Sequence, residues 1–162
     1  IDKGDNRSPC DEWTVRNVLR HQCGGLQAMA ATLKSGETVP PQPIDSAETP
    51  AAVWAETRDS VLAELDEPEI LDREGKFWFG PMSVDQWIQV VQWDPITHAW
   101  DISKAAGIEP HIPDDLASAS HEVISGMRET LHKWGLVADE VEIAGDASAS
   151  DKFLALIGRD PR

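Results

Sequence analysis

Apolar residues recur at helical rather than alternating spacing along most of the chain. Within each run the apolar positions are three or four residues apart, which places them on one face of an α-helix. Two stretches rich in proline and glycine, residues 35–50 and 66–82, separate the runs and prevent regular helix there. The pattern therefore predicts an all-α bundle with long connections.

Five helices follow from the spacing and from the residues at the helix ends. Thr49 and Pro50 match the N-cap and first-turn preferences of a helix start, and Ser83 opens a capping-box sequence. Because Pro95 has no backbone N–H, we expect a kink near Asp94 inside the third helix. The predicted helices cover residues 11–34, 49–65, 83–107, 114–134 and 150–157.

The same periodicity predicts which side chains are buried. Leu62 in the second helix and Trp134 in the fourth fall on the apolar stripes, so we expect both to face the core. The run at residues 76–80, which holds three aromatic residues, is expected to plug the core, with the wall of a pocket as the alternative. Gly24 and Gly25 lie inside the first helix, where each costs about 1 kcal/mol relative to alanine, and this indicates close packing of another segment against them.

Composition and charge narrow the class of function. The 162 residues include 29 Asp and Glu against 14 Lys and Arg, which gives a net charge of −15. Negative charge in such excess repels phosphate backbones and anionic lipid, so we expect neither nucleic acid nor membrane as a partner. No apolar run approaches the ~20 residues that span a bilayer. Two cysteines are too few for a disulfide framework. These features indicate a cytoplasmic globular protein.

One face of the third predicted helix carries polar residues where apolar residues are expected. Asp94, His98 and Asp101 lie at i, i+4 and i+7, on the stripe that should be buried. Unpaired buried charge costs several kcal/mol, and a divalent ion would remove that conflict. His21, on the apolar stripe of the first helix, is the best candidate for the other half of the site. The spacing therefore predicts a metal site at His21, Asp94 and His98.

Plainer interpretations of these residues stay open at this point. A histidine on an apolar face is more often a hydrogen-bonded core residue than a ligand, so His21 and His98 could belong to a metal-free bundle. Asp94 before Pro95 also has the sequence of an N-cap followed by a first-turn proline. Three other kinds of catalytic site are not supported by the sequence. It has no Gly-x-Ser-x-Gly elbow and no glycine-rich phosphate loop, and it has a single Glu-x-x-His where a di-iron bundle needs two.

Four short motifs occur in an order that resembles a known family. They read WTVRNVLRH, FGPM, HAWDISKAAG and FLALIGRDP and begin at residues 13, 79, 98 and 153. In this respect the chain is similar to actinobacterial-type metal-binding proteins related to mycothiol-dependent maleylpyruvate isomerase, within the DinB-like helical-bundle superfamily. The resemblance implies a four-helix bundle with a short C-terminal extension. It also implies a divalent metal, usually zinc, held by His21, Asp94 and His98.

The resemblance further implies roles for three other side chains. Asp101 would orient His98 or a substrate, as an outer partner of a metal ligand does. Arg159 in the tail would bind an anion. Lys104 stands where the family commonly has arginine, and it would bind an anionic cofactor less specifically. Asp101 and Arg159 are therefore the candidate catalytic residues, and Lys104 is the candidate cofactor contact.

The leading functional hypothesis is a metal-dependent thiol transferase or isomerase. Three protein ligands leave a fourth position open, and a thiol bound there has its pKa lowered toward neutrality. The resemblance implies mycothiol or a similar low-molecular-weight thiol as co-substrate and a small-molecule electrophile as the partner. Zinc is the preferred ion, with nickel, iron and manganese as alternatives. The competing hypothesis is a non-catalytic, metal-stabilised module for ligand binding or stress response.

The expected organisation has three parts. Residues 1–10 are a polar N-terminal segment, residues 11–107 form the metal-binding bundle, and residues 108–162 form C-terminal helices that pack on it. Family members carry an amphipathic helix ahead of the motif that begins at residue 13. We therefore expect the first helix of the bundle to be missing here and an apolar groove to be exposed. A homodimer is one way to fill such a groove.

Overall fold

The computed structural model describes residues 3–10, 12–42, 44 and 50–162. These residues form a mostly helical fold with one small antiparallel sheet, in agreement with the predicted helical class. No helix in the described ranges is long and apolar enough to cross a membrane. In chain order the elements are α1 Val15–Ser35, α2 Pro50–Leu65, a short 3-10 helix Ile70–Asp72, β1 Glu74–Phe77, β2 Gly80–Ser83, α3 Val84–Val91, α4 Trp93–Ala106, α5 Asp114–Lys133 and α6 Ala149–Leu156.

Two helices start with reciprocal capping boxes. At α1 the Thr14 hydroxyl accepts the backbone N–H of Asn17, and the Asn17 side chain accepts the backbone N–H of Thr14. This cap starts α1 later than predicted, because it satisfies the free N–H groups of the first turn at that point. Ser83 and Gln86 cap α3 in the same way, as predicted. The predicted N-cap Thr49 lies outside the described residues.

The predicted third helix is two helices, α3 and α4, which meet at Gln92. Pro95 has no N–H to donate to the carbonyl of Val91, so the hydrogen-bond ladder is interrupted one turn before the proline. Gln92 itself keeps helical dihedral angles, φ −62° and ψ −24°. The interruption is therefore a local break close to the kink expected near Asp94.

The β1–β2 hairpin is an element that the sequence analysis missed. Its strands pair antiparallel, with Phe77 opposite Gly80. Phe77 is buried and stacks on Trp87 with ring centroids 4.9 Å apart. Trp78 is 66% exposed. The prediction that the run at residues 76–80 plugs the core was wrong beyond Phe77, because Trp78 and Phe79 form the turn between the strands, outside the buried face of the hairpin.

Two buried clusters carry most of the packing. One joins α1, α2, the hairpin and α3, and the other joins α4, α5 and α6. Leu62 and Trp134 belong to neither, being 52% and 55% exposed, so their predicted burial was wrong. Val61 takes the core position in that turn of α2. Trp134 lies past the last turn of α5 and packs on Phe79 instead, with centroids 6.1 Å apart.

A loop passes close to the middle of α1. A Cβ atom at Gly24 would lie 2.6 Å from the carbonyl oxygen of Gln42, whereas nothing lies within 4 Å of one at Gly25. The hydroxyl of Thr32 accepts the backbone N–H of Val39 at 3.0 Å and fixes the same loop. The predicted close packing is therefore confirmed for Gly24 and wrong for Gly25.

The segment before α1 folds back over the ends of α1 and α4. The Lys3 ammonium donates to the carbonyl of Ala106, and the Asn6 side chain donates to the carbonyl of Ala105 at 2.8 Å. Both carbonyls belong to the last turn of α4, where donors are otherwise lacking. Because α1 packs against α4, this segment and the two helices together surround one polar site.

Candidate metal centre

Three side chains from α1 and α4 converge on one point. The Nε2 atom of His21 lies 3.3 Å from Oδ1 of Asp94, and the Nε2 atom of His98 lies 3.6 Å from the same oxygen. One potential ligand atom from each residue lies within 4.8 Å of the others. The two imidazoles meet edge to face, with centroids 4.9 Å apart. The structure thus brings together the three residues that the sequence analysis selected as ligands.

Helical geometry and one glutamine explain this convergence. Asp94 lies in the first turn of α4, and His98 follows one turn later on the same face. Gln22, next to His21 on α1, donates from Nε2 to Oδ2 of Asp94 at 2.8 Å. Asp94 is therefore held by α1 through both of its oxygens. Sequence reasoning missed Gln22, because an amide beside a predicted ligand has no spacing of its own to mark it.

Asp94 and His21 shift each other's ionisation. Burial raises the pKa of Asp94, but the hydrogen bond from His21 and the charges of the two imidazoles outweigh it, so the pKa lies below its usual value. The same hydrogen bond raises the pKa of His21 against the opposing effect of burial. A cation would thus meet an ionised carboxylate and an imidazole that must release its proton.

A series of buried hydrogen bonds orients His98. Its Nδ1 atom lies 2.9 Å from Oδ2 of Asp101, and Arg159 donates to both oxygens of Asp101, from Nε at 2.8 Å and from Nη2 at 3.0 Å. The Asp101 side chain has 0% exposure and that of Arg159 has 13%. A carboxylate at Nδ1 favours the proton on that nitrogen, which leaves the Nε2 lone pair for a cation.

Pairing keeps Asp101 ionised although it is buried. Burial raises the pKa of Asp101, but hydrogen bonds from His98 and Arg159 outweigh it and the pKa is lowered. Burial also opposes the charge of Arg159, and the hydrogen bond with Asp101 outweighs that effect, so the pKa of Arg159 is raised. The structure therefore brings both candidate catalytic residues to the centre, as partners of each other.

The tail reaches the centre through an unusual backbone at Gly158. Its φ of +85° lies in the left-handed region, and a Cβ atom there would lie 2.6 Å from the Cβ atom of Ala138. Arg128 ties the same region to α5 by donating to the carbonyls of Leu156 and Ala138, at 2.8 and 3.0 Å. Arg159 consequently starts from a backbone that is fixed on both sides.

Trp13 and Cys10 cover the centre from the N-terminal segment. The Trp13 ring stacks on His98 at 5.8 Å between centroids and lies 5.1 Å from His21. Cys10 belongs to a second group of potential ligands, with His98 and Asp101, in which the ligand atoms also lie within 4.8 Å of one another. Sequence reasoning gave neither residue a place in the site, because both precede α1 and helical spacing does not reach them.

Lys104, the candidate cofactor contact, lies apart from the other site residues. Its side chain is exposed, and the ammonium lies over the ring of Trp100, 5.4 Å from the centroid. Among the described residues, no hydrogen bond or ion pair joins Lys104 to the three ligands, to Asp101 or to Arg159. The structure therefore does not bring it together with Asp101 and Arg159.

The donor set fits the metal that the resemblance implies. Two imidazole nitrogens and one carboxylate oxygen are ligands that zinc uses, and three protein ligands are typical of zinc sites with an open position. Donors 3.3 and 3.6 Å apart can share an ion at about 2.0–2.2 Å from each. The carboxylate behind His98 supplies the outer partner that such ligands have.

A family match covers the part of the chain that carries these ligands. Residues 2–103 match the family model of the mycothiol maleylpyruvate isomerase N-terminal domain. The chain belongs to this family. The match spans α1 through most of α4, and so it includes the three ligands and Asp101. Arg159 lies beyond it. The helical architecture is consistent with the DinB-like superfamily.

Relatives extend the similarity beyond the family domain. Two proteins of Mycobacterium tuberculosis, from strains CDC 1551 and H37Rv, are each named as an uncharacterized protein. Each is 23% identical over 159 residues, which cover 96% of this chain and 84% of the relative. No solved structure matches the chain. The similarity to the relatives therefore continues past residue 103 into the C-terminal helices.

Proposed function

We propose that this member of the family binds one divalent metal ion, preferentially zinc, through His21, Asp94 and His98, and that it catalyses a thiol-dependent transfer or isomerisation. The thiol would be mycothiol or a similar small thiol. The convergence of the three ligand atoms within 4.8 Å of one another supports this. Nickel, iron and manganese suit the same donors. We place the protein in the cytoplasm, where small thiols stay reduced.

His21, Asp94 and His98 would hold the ion, and a bound ion would lower the pKa of a thiol at its open position and supply a thiolate at neutral pH. The protein's own residues arrange this chemistry. Asp101 keeps the Nε2 atom of His98 directed inward, and Trp13 stacks on His98 and packs at a tilt against His21. Arg159 donates from Nε and Nη2 to the two oxygens of Asp101. We therefore assign Asp101 and Arg159 a positioning role.

The substrate would be a small electrophile. A thiolate that adds to a conjugated double bond allows rotation about it, and elimination of the thiolate then gives the isomer. Displacement of a leaving group instead gives transfer to sulfur. The net charge of −15 supports a small molecule as partner rather than nucleic acid or a membrane. A homodimer stays a prediction that light scattering would test.

Metal content tests the site directly. Protein purified without a metal-affinity tag and dialysed against zinc should contain about one ion per chain, and His98→Ala should release it because a ligand is lost. His132→Ala is the matched control, since His132 is exposed and pairs with Asp139, and it should retain the ion. Less than about a tenth of an equivalent in the wild type would contradict the proposal.

A thiol assay separates the enzyme from a non-catalytic module. The module would hold the ion through the same three side chains, so the two functions differ in turnover alone. Zinc-loaded protein would be incubated with mycothiol and a panel of conjugated and displaceable electrophiles. We expect thiol consumption or isomerisation that requires the metal and disappears in His98→Ala. Metal binding without any such turnover would favour the ligand-binding or stress-response module.

A further inference from the structure

Cys10 lies at the edge of the metal centre, and the proposed function does not use it. Its Sγ atom, a nitrogen of His98 and an oxygen of Asp101 lie within 4.8 Å of one another. Both Asp101 oxygens are taken by Arg159, at 2.8 and 3.0 Å. Asp101 is therefore a poor ligand for a second ion. Cys10 is linked to the candidate metal centre through His98, which belongs to both groups of potential ligands.

The loop that carries Cys10 is fixed beside the ligands. The Ser8 hydroxyl accepts the backbone N–H of Cys10 at 3.0 Å, and the Trp13 backbone N–H donates to the Cys10 carbonyl at 3.1 Å. Glu12, inside this turn, has a φ of +64°, a conformation uncommon for residues other than glycine. The turn thereby directs both Cys10 and Trp13 to the side of the site where His98 lies.

We propose that Cys10 is a fourth protein ligand, which closes the metal site when no external thiol is bound. In the described arrangement its thiol interacts with Arg159. The Cys10 sulfur is grouped with His98 and not with His21 or Asp94, so closing the site would require a rotation about the Cα–Cβ bond of Cys10 toward the ion. One thiolate, two imidazoles and one carboxylate make a closed four-ligand set for zinc. The inference rests on the metal site of the proposed function and not on its thiol chemistry.

Opening such a site is a ligand exchange. The bond between the ion and the Cys10 sulfur would break, a bond between the ion and the incoming sulfur would form, and the proton of the incoming thiol would pass to Cys10. Charge and atoms balance without an oxidant. A soft thiolate ligand is displaced by another sulfur donor more readily than by water or an alcohol. Cys10 would therefore restrict the open position to thiols.

Cobalt(II) substitution tests this without any activity assay. Cobalt bound by a thiolate shows a sulfur-to-metal charge-transfer band in the near ultraviolet, which nitrogen and oxygen ligands alone do not give. Cobalt alone would be added to metal-free wild type, Cys10→Ser and Cys23→Ser. We expect the band in wild type and Cys23→Ser, since Cys23 is fully buried elsewhere. Cys10→Ser should lack it and bind cobalt at least about tenfold more weakly.

The other spectral results are informative too. Bound cobalt without the band, at equal affinity in wild type and Cys10→Ser, would overturn the role of Cys10 and leave the three-ligand site intact. No binding of cobalt by wild type would overturn both this inference and the proposed function.

Alkylation of the wild type gives a second readout that needs no variant. Iodoacetamide reacts with a free thiolate and not with one held by a metal ion. Zinc should therefore slow the modification of Cys10 at least about tenfold, as followed by peptide mass spectrometry. Cys23, with 0% exposure, should stay unmodified in both samples. An unchanged rate for Cys10 with zinc bound would overturn the inference.

Discussion

One series of side chains orients the candidate ligand on α4. Arg159 fixes Asp101, and Asp101 in turn fixes His98. Removing either partner of the buried Arg159–Asp101 pair should lower the free energy of unfolding by about 3–5 kcal/mol, because the remaining charge would be buried without a partner. The series ends at a nitrogen that faces Asp94 at 3.6 Å. A metal ligand oriented in this way loses little freedom on binding, which favours affinity.

At the same scale, His21 should titrate above the ordinary histidine value of about 6.5 in the metal-free protein. The hydrogen bond with Asp94 raises its pKa. Because the folded pKa exceeds the unfolded one, this stabilisation is fully present below about pH 6.5 and is lost as the pH rises through the folded value. Metal affinity should increase over the same rise, as His21 loses its proton. NMR titration of the ring protons measures the pKa.

Two variants control that titration. Asp94→Asn should return the pKa of His21 toward its ordinary value, since the charged acceptor is gone. Asp139→Asn removes an exposed carboxylate beside His132 and should leave His21 unchanged. A wild-type His21 that titrates at or below about 6.5 would contradict the assigned hydrogen bond.

At the scale of elements, local rules decided what could be predicted. The capping box at Ser83 and the single helical turn from Asp94 to His98 are short-range features that a sequence shows directly. The hairpin could not be predicted from the sequence, since each strand has only four residues. It is also held by a long-range contact, in which the backbone N–H of Lys76 donates to the carbonyl of Gly36. The position of Cys10 beside the candidate site could not be predicted either, because the direction of its loop is set by tertiary contacts.

Adjacent glycines in α1 provide a test of the loop that packs there. Gly24→Ala should destabilise the protein by about 1–3 kcal/mol, since its Cβ would lie 2.6 Å from the backbone oxygen of Gln42. Gly25→Ala meets open space, and it should stabilise the helix by up to about 1 kcal/mol. Urea unfolding of the two variants measures the difference. Similar effects at both positions would mean that the loop does not approach α1 as described.

For the whole molecule, the ligands come from two separately packed regions. His21 lies on α1, whose Leu33 belongs to one buried cluster, whereas His98 lies on α4, whose Trp100 belongs to the other. Contacts between α1 and α4 join the two regions directly. An ion held by both helices would add a link that the unfolded chain cannot reproduce.

Zinc should therefore stabilise the whole fold. At a free concentration of a hundred times Kd, ligand linkage predicts about 2.7 kcal/mol of added unfolding free energy. Urea unfolding with and without zinc measures it, and His98→Ala should show no such gain. Magnesium, which prefers oxygen ligands, is the control ion and should have little effect. If zinc left the unfolding free energy of the wild type unchanged, the ion would not link α1 to α4.

The candidate metal centre uses side chains that lie far apart in the sequence, with Cys10 and Trp13 before the three potential ligands and Arg159 after them. A ribosome releases these residues in order, so His98 emerges well before the arginine that steadies it through Asp101. A nascent chain halted ahead of Gly158 would display every ligand and lack the clamp behind them. An ion that binds after Arg159 has been synthesised would therefore meet a His98 that is already fixed through Asp101.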